Sequence, residues 1–219
     1  MSSFQLAYIP IGVPTFELVS AGEQFEKSKK MLRSLCADAV CPDEMLLSID
    51  KLTAFLDGLS PDLIVLQNIT FANSAYVSEV LKRFDCPILL WTLREPVIDG
   101  GRLRLNSLTG AFSAANTIKY FRKEQFGYVF GSPEEKRVIA ETGAYIRAAQ
   151  IRKELKSLKM ASVGHTPQGF GFGRALDAEL LKSFGVTLES IEARELIEKA
   201  QAYSEDEARE YLERAAKSM

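Results

Sequence analysis

The hydrophobic and polar positions along the chain predict strands that alternate with helices. Residues 6–11, 63–66, 88–91 and 128–130 are short runs of mostly apolar side chains, as is typical of strands buried on both faces. After the first run, apolar residues recur with a period of about 3.6, which is the period of an amphipathic helix. The connections between strands are too long for hairpins, so the pattern favours a parallel sheet covered on both faces.

The simplest closure of this pattern is an α/β fold, a flavodoxin-like doubly wound parallel sheet over residues 1–157. Residues 38–41 are a weak candidate for its second strand. Residues 158–219 then begin a second α/β domain, with predicted strands at 159–163 and 187–191. Because two parallel strands cannot bury both of their faces, we expect this second domain to be incomplete.

Local signals predict where several helices begin. Ser48 is a candidate N-cap, and Asn73 or Ser74 can cap the helix that follows the apolar run 63–66 and its loop. A further helix is expected to start near Ala111. Pro133 is suited to the first turn of a long helix that ends near residue 157.

Composition and charge exclude several classes of function. The 219 residues include 27 basic and 29 acidic side chains, a net charge of −2, and no basic block, so we expect no nucleic-acid partner. No segment approaches the roughly 18 apolar residues of a membrane span, and the N-terminus lacks a signal-peptide pattern. Three cysteines are an odd count at no metal-ligand spacing. We therefore expect a cytoplasmic protein with reduced thiols and no membrane partner.

The stretch 87–121 predicts a strand, a turn-rich polar loop and a helix in series. This order places the loop at the carboxyl edge of the sheet, where open α/β sheets bind ligands. Three loop carboxylates, Glu17, Glu95 and Asp99, have no spacing that groups them as a catalytic or metal-binding set. The sequence favours a solvated loop for Asp99 and an ion pair that fixes the loop for Glu95.

Two aromatic residues, Phe16 and Phe71, stand in polar loops directly after predicted strands. Aromatic faces beside neutral hydrogen-bonding groups are suited to binding a sugar, whose surface carries both C–H groups and hydroxyls. The alternative is that both aromatics act as hydrophobic staples of helices, and the sequence leaves both interpretations open. Neutral hydrogen-bonding partners in the same loops are Thr15, Thr70, Asn73, Asn106, Ser107 and Thr109.

Two other candidates are weaker. Residues 169–173, GFGFG, follow a predicted strand, but their spacing differs from that of a dinucleotide-binding loop. A nucleotide- or phosphate-binding domain stays an alternative that requires the loop 164–173 to hold phosphate. His165 is the single histidine, and a hydrogen-bonded loop position is favoured over a general base.

Several motifs resemble, in the same order, the N-terminal domain of L-fucose/L-arabinose isomerase-like proteins. They are WTLREP at 91–96, GGRLRLNSLTG at 100–110, GYVFG at 127–131 and VGHTPQGF at 163–170. The resemblance implies a cytoplasmic, three-domain aldose–ketose isomerase that assembles as a trimer or hexamer and acts on a monosaccharide. It also implies Mn²⁺ for the complete enzyme, with the metal ligands and proton carriers beyond this chain. No catalytic or metal-binding residue is therefore assigned here.

The resemblance also implies substrate-binding positions. The loop after the first strand reaches a neighbouring subunit's sugar in the family, although the basic or polar residue expected there is not evident. The implied positions are Thr15, Phe16, Phe71, Asn106, Ser107 and Gln168. The chain is thus predicted to be the N-terminal substrate-binding portion of a sugar isomerase, inactive alone. The alternative is a stand-alone sugar-binding or regulatory module of the same fold.

Overall fold

The computed structural model describes residues 3–122, 126–173 and 175–218. The chain forms two compact units, Met1–Lys153 and Glu154–Met219. Each unit contains a parallel sheet, with four named strands in the first and two in the second. The predicted α/β class, with strands and helices in alternation, is confirmed.

The sheet of the first unit contains β1 (Leu6–Ile11), β2 (Leu63–Asn68), β3 (Ile88–Thr92) and β4 (Gly127–Phe130), hydrogen-bonded in that order. Every residue of β1, β2 and β3 is buried, as the apolar runs predict. Because all four strands run parallel, their carboxyl ends meet at one edge of the sheet.

The predicted second strand, 38–41, forms one isolated bridge to β1, and a second isolated bridge follows beyond its end. Val40 bridges Ala7 and Leu46 bridges Ile11, both in parallel orientation. A continuous ladder is prevented because Pro42, which lies between the two bridges, has no N–H to donate. This segment lies on the outer side of β1. If it is counted as the second of five strands numbered in chain order, the order across the sheet becomes 2-1-3-4-5, as in flavodoxin-like folds.

Helices cover both faces of this sheet, which makes it doubly wound. The helices are α1 (Leu18–Leu35), α2 (Ile49–Leu56), α3 (Ser74–Arg83), α4 (Ser107–Arg122) and α5 (Lys136–Leu155). On one face of the sheet, α1 and α5 pack in a core that includes Tyr8 and Trp91. On the other, α2, α3 and α4 pack in a core that includes Ile9 and Leu90.

Two of the predicted helix starts are confirmed. The Ser48 hydroxyl accepts a hydrogen bond from the Lys51 amide at 3.2 Å and caps α2. The Asn73 side chain accepts one from the Ala75 amide at 3.1 Å and caps α3. Both caps satisfy a first-turn N–H group that has no partner within the helix.

Two other predicted starts are wrong. Helix α4 begins at Ser107, one turn before Ala111, so Gly110 lies inside its first turn. A Cβ at position 110 would lie 2.6 Å from the Asn68 amide nitrogen, so this turn packs closely on β2. Helix α5 begins at Lys136 and not at Pro133, because Ser132–Glu135 forms a separate hydrogen-bonded turn.

The second unit contains strands β5 (Lys159–Val163) and β6 (Thr187–Ile191) and helices α6 (Asp177–Phe184), α7 (Ala193–Ala202) and α8 (Glu205–Ser218). Both strands are exposed or half-buried along their length. Of the residues that the structure describes in this unit, Val186 alone is buried. The assignment of residues 158–219 to the beginning of a further domain stays a prediction.

No helix within the described residues combines the length and apolarity that a membrane crossing requires.

Candidate functional site

The chain changes direction across the sheet between β1 and β2, and the crevice at that place is where doubly wound sheets bind ligands. The loops that follow these two strands are joined there. The Val13 amide donates to the Thr70 hydroxyl at 2.9 Å, and that hydroxyl donates to the Val13 carbonyl at 3.2 Å. The carboxyl ends of β1 and β2 therefore form one continuous rim.

The long loop after β3 folds over this rim and pairs with both other loops. The Phe71 amide donates to the Leu105 carbonyl at 2.8 Å, and the Glu17 amide donates to the Arg104 carbonyl at 3.0 Å. Three loops that are far apart in sequence are thus connected by backbone hydrogen bonds. These hydrogen bonds fix the positions of the three loops relative to one another.

The rim carries an aromatic pair with a cation beside it. The ring centroids of Phe16 and Phe71 lie 6.1 Å apart, with the ring planes inclined at 49°. The guanidinium carbon of Arg102 lies 5.0 Å from the Phe16 ring centroid, within the range of a cation–π contact. A small depression of about 190 Å³ lies at this place, lined by Thr15, Phe16, Glu17, Arg102, Leu103 and Arg104.

Carboxylates fix the shape of the third loop. Glu95 accepts hydrogen bonds from the amides of Leu105 and Asn106, at 3.1 and 2.5 Å. Glu95 does hold the loop, but the predicted ion pair is wrong: among the described residues its hydrogen bonds come from backbone amides, and Arg94 pairs with Glu135. Asn106 itself adopts a left-handed backbone conformation, with φ of 50°.

Asp99 is also held within the loop. Its carboxylate accepts from the Gly101 amide at 2.9 Å and pairs with Arg104 at 2.9 Å. The Gly101 hydrogen bond, followed by the charge of Arg104, holds the pKa of Asp99 below its ordinary value. Asp99 is therefore kept ionised as a loop-fixing group and not as a proton carrier near neutral pH.

Ser107 connects the ends of two strands from below the rim. It is fully buried; its hydroxyl donates to the Asn68 carbonyl at 2.5 Å and accepts from the Leu93 amide at 2.9 Å. Both hydrogen bonds join chain segments that no regular ladder connects at this point. The hydroxyl is thus committed to holding the edge of the sheet.

Replacing Ser107 with alanine is expected to lower the free energy of unfolding of the first unit by about 2–3 kcal/mol, because it leaves a buried carbonyl and a buried amide unpaired. Urea unfolding followed by fluorescence of Trp91, the only tryptophan in the sequence, measures this unit. Ser78→Ala is the matched control, since its hydroxyl bonds the Ser74 carbonyl at an exposed position. Equal urea midpoints for Ser107→Ala and Ser78→Ala would contradict the role of the Ser107 hydroxyl in holding the edge of the sheet.

A second polar feature below the rim was not anticipated from the sequence. Asn68 and Thr92 are register partners on β2 and β3 and are fully buried. Within the described part of the chain, the Asn68 amide atoms and the Thr92 hydroxyl have no hydrogen-bond partner. Buried polar groups without partners are costly, and these two lie where β2 and β3 end.

The structure brings four of the predicted substrate-binding residues together at one edge of the first unit. Thr15, Phe16, Phe71 and Asn106 stand on the three connected loops of the first unit. Ser107 lies buried beneath them, and Gln168 is exposed in a turn of the second unit. Contact of these residues with a sugar stays a prediction.

A larger cavity of the first unit lies elsewhere. It has a volume of about 340 Å³ and is lined at the amino ends of the strands by Pro87, Gly127 and Tyr145 among others. Parallel α/β sheets bind their ligands at the carboxyl ends, where loops and helix N-termini supply donors. We therefore place the functional site at the smaller depression.

The loop 164–173 lacks the geometry of a phosphate site. Its last residues, Gly171–Gly173, form a short 3-10 turn, and α6 begins only at Asp177. The first turn of that helix carries Asp177 and Glu179, which repel an anion at the place where a phosphate would bind. The nucleotide alternative has no support from this geometry.

The described residues also offer no ligand set for the Mn²⁺ that the resemblance implies. Over residues 3–122, 126–173 and 175–218, no group of three or more His, Cys, Asp or Glu side chains is placed to hold a metal ion. No chemical step is derived through a metal here.

Fold and site together define a doubly wound α/β unit with aromatic and polar side chains at its topological switch point. Comparison with curated proteins shows that the chain is homologous over its whole length to proteins named sulfoquinovose isomerase. One from Clostridium sp. (strain MSTE9) is 61% identical over 219 residues, which are all of this chain and 49% of that protein. No protein-family model matches the chain.

More distant relatives carry the same name. A protein from Priestia aryabhattai is 34% identical over 222 aligned residues, covering all of this chain and 49% of its own length. One from Alkalicoccus urumqiensis is 31% identical over 214 residues, covering 97% of this chain and 48% of its own length. The chain thus spans about half the length of these relatives. The resemblance to sugar isomerases is confirmed at this level, and the L-fucose/L-arabinose type stays a prediction.

Proposed function

We propose that the chain is the N-terminal, substrate-binding portion of an aldose–ketose isomerase that acts on a sulfonated hexose. The observation that supports this most is the convergence of Phe16, Phe71 and Arg102 at the carboxyl edge of the sheet. The names of the homologues supply the substrate class. A sulfonated sugar is proposed in place of L-fucose or L-arabinose, because neither of those carries an anionic group.

The chemistry of such a sugar fits the groups at this edge. Sulfoquinovose is glucose with a sulfonate in place of the 6-hydroxyl, so it presents C–H surface, neutral hydroxyls and one fixed negative charge. The aromatic pair offers faces to the C–H surface, and the side chains of Thr15 and Asn106 offer neutral hydrogen bonds. A cation is needed only at one end of the sugar.

In the proposed reaction the sugar is neither oxidised nor reduced overall. One proton leaves C2 and one is added at C1, and a second proton passes from the C2 hydroxyl to the C1 oxygen as the carbonyl moves from C1 to C2. This chain binds and orients the sugar. The Mn²⁺ and the groups that move the protons are proposed to come from the other half of the complete protein, within a cytoplasmic trimer or hexamer whose neighbouring subunits share sites.

Calorimetric titration of this chain with sulfoquinovose tests the proposal, together with an isomerase assay in the presence of Mn²⁺. We expect saturable binding without turnover. Phe71→Leu is expected to weaken binding about threefold to tenfold, because it removes an aromatic face while staying apolar. Phe170→Leu makes the same change at an exposed aromatic residue of the second unit and is expected to have no effect.

Two results would contradict the proposal. Absence of saturable binding to sulfoquinovose, glucose, L-fucose and L-arabinose would remove the substrate-binding role. Metal-dependent turnover by this chain alone would place a complete catalytic centre within it and overturn the division of roles. Binding with turnover only after addition of the other half would support the proposal over a stand-alone sugar-binding module.

A further inference from the structure

Arg102 supplies a positive charge to the loop after β1, where the sequence shows none. Its guanidinium donates to the Thr15 carbonyl at 3.1 Å, across 87 positions of sequence. The side chain is exposed and lines the depression at the switch point. A guanidinium from the loop after β3 thus reaches the loop after β1.

The other arginines of the loop after β3 are neutralised by carboxylates. Arg94 pairs with Glu135 through two hydrogen bonds, at 2.9 and 3.1 Å. Arg104 pairs with Asp99 at 2.9 Å. Among the ion pairs of the described residues, none involves Arg102. The Arg102 guanidinium contacts the Thr15 carbonyl and the face of the Phe16 ring. These contacts leave most of its five N–H donors for a ligand.

The surroundings orient this guanidinium before any ligand arrives. The Thr15 carbonyl holds one nitrogen, and the Phe16 ring lies against the guanidinium at 5.0 Å. Phe16 in turn packs on Phe71. A planar cation fixed beside an aromatic pair is suited to bind an oxyanion with two parallel hydrogen bonds while a sugar ring lies on the aromatic faces.

The nearby carboxylate does not neutralise this cation. Glu17 accepts hydrogen bonds from the Val19 and Ser20 amides, both at 2.8 Å, and caps α1. Hydrogen bonding with Ser20 is the main cause that lowers the pKa of Glu17. Its negative charge is thus directed to the helix N-terminus.

We propose that Arg102 binds the sulfonate group of the sugar and determines the preference for a sulfonated over a neutral hexose. This inference rests on the proposed function, since it assigns one end of the substrate to a residue of the same site. The aromatic pair is then shared by both kinds of sugar, and Arg102 distinguishes between them.

Calorimetric titration of the wild-type chain and of Arg102→Gln, each with sulfoquinovose and with glucose, tests the proposal. We expect Arg102→Gln to weaken sulfoquinovose binding about tenfold to hundredfold, as for loss of a charge-assisted hydrogen bond, and to leave glucose binding unchanged. Arg102→Lys keeps the charge without the planar fork and is expected to restore part of the affinity. Arg209→Gln is the control, since Arg209 is an exposed arginine of α8 paired with Asp206.

The outcomes separate the two proposals. Failure of the wild-type chain to bind any sugar contradicts the proposed function. Wild-type binding that Arg102→Gln leaves unchanged for sulfoquinovose contradicts the role of Arg102 alone. Equal weakening for sulfoquinovose and glucose would show that Arg102 only maintains the loop, and would also overturn its assignment to the sulfonate.

Discussion

Replacing Trp91 with alanine is expected to lower the free energy of unfolding of the first unit by about 3–5 kcal/mol. Trp91 is fully buried in β3, within the core on the α1 and α5 face of the sheet. Its indole nitrogen donates to the Gly131 carbonyl at 2.9 Å, which connects β3 to the turn after β4. The substitution therefore removes a large apolar side chain and also leaves a carbonyl without its donor.

Because Trp91 is itself the fluorescent probe, the measurement uses urea unfolding followed by circular dichroism, with hydrogen exchange of the β2 amides to report on the first unit. Tyr120→Ala is the control, since Tyr120 is 83% exposed and its loss is expected to cost less than about 0.5 kcal/mol. Trp91→Phe should fall between the two, as it keeps an apolar ring but loses the indole donor. A cost below about 1 kcal/mol for Trp91→Ala would contradict the assigned packing.

Replacing Gly131 with alanine is expected to destabilise the first unit by about 2–4 kcal/mol, from backbone strain and crowding together. Gly131 has φ of 140°, a conformation that residues with a Cβ rarely adopt. A Cβ would also lie 2.8 Å from both the Glu135 carboxylate and a Val138 methyl group. Glu135 cannot move away freely because it pairs with Arg94.

Fluorescence of Trp91 during urea unfolding measures this effect directly. Gly22→Ala is the matched control: it makes the same change inside α1, where a Cβ would meet nothing within 4 Å. That control is expected to stabilise the unit by up to about 1 kcal/mol, because glycine weakens helix interiors. If the two substitutions change the free energy of unfolding in opposite directions, the strain and crowding assigned to position 131 are supported. A Gly131→Ala variant as stable as Gly22→Ala would contradict them.

The region around Gly131 matters for the site because it holds one end of the loop after β3. Hydrogen bonding with Arg94 and with the Ser132 backbone holds the pKa of Glu135 at about 2. Arg94 leads directly into the loop that presents Arg102. A change at Gly131 that displaces Glu135 is therefore expected to loosen the loop at its first residues.

The fold was predictable because its strands are short and almost wholly apolar. Residues 6–11, 63–66, 88–91 and 128–130 all lie in strands of the parallel sheet. The exception, residues 38–41, shows the limit of local pattern. Whether a short segment pairs as a ladder or as single bridges depends on a neighbour such as Pro42 that cannot donate.

The candidate site was predictable in part. Phe16 and Phe71 were identified because an aromatic residue in a polar loop after a strand is unusual, and the structure places their rings in contact. Asn106 was identified as a neutral hydrogen-bonding residue in a loop after a strand. Ser107 was assigned to the same surface, but the earlier start of α4 buries its hydroxyl against Asn68 and Leu93.

The sequence by itself determined the class of fold, the edge at which the loops gather and the aromatic character of the site. These depend on hydrophobic period and on position after a strand, which are local properties of the chain. The tertiary structure alone decided which charge reaches the loop after β1. Arg102 is distant from Thr15 in sequence, and only the pairing of the loop after β3 with the other two loops brings its guanidinium to that carbonyl and to the Phe16 ring.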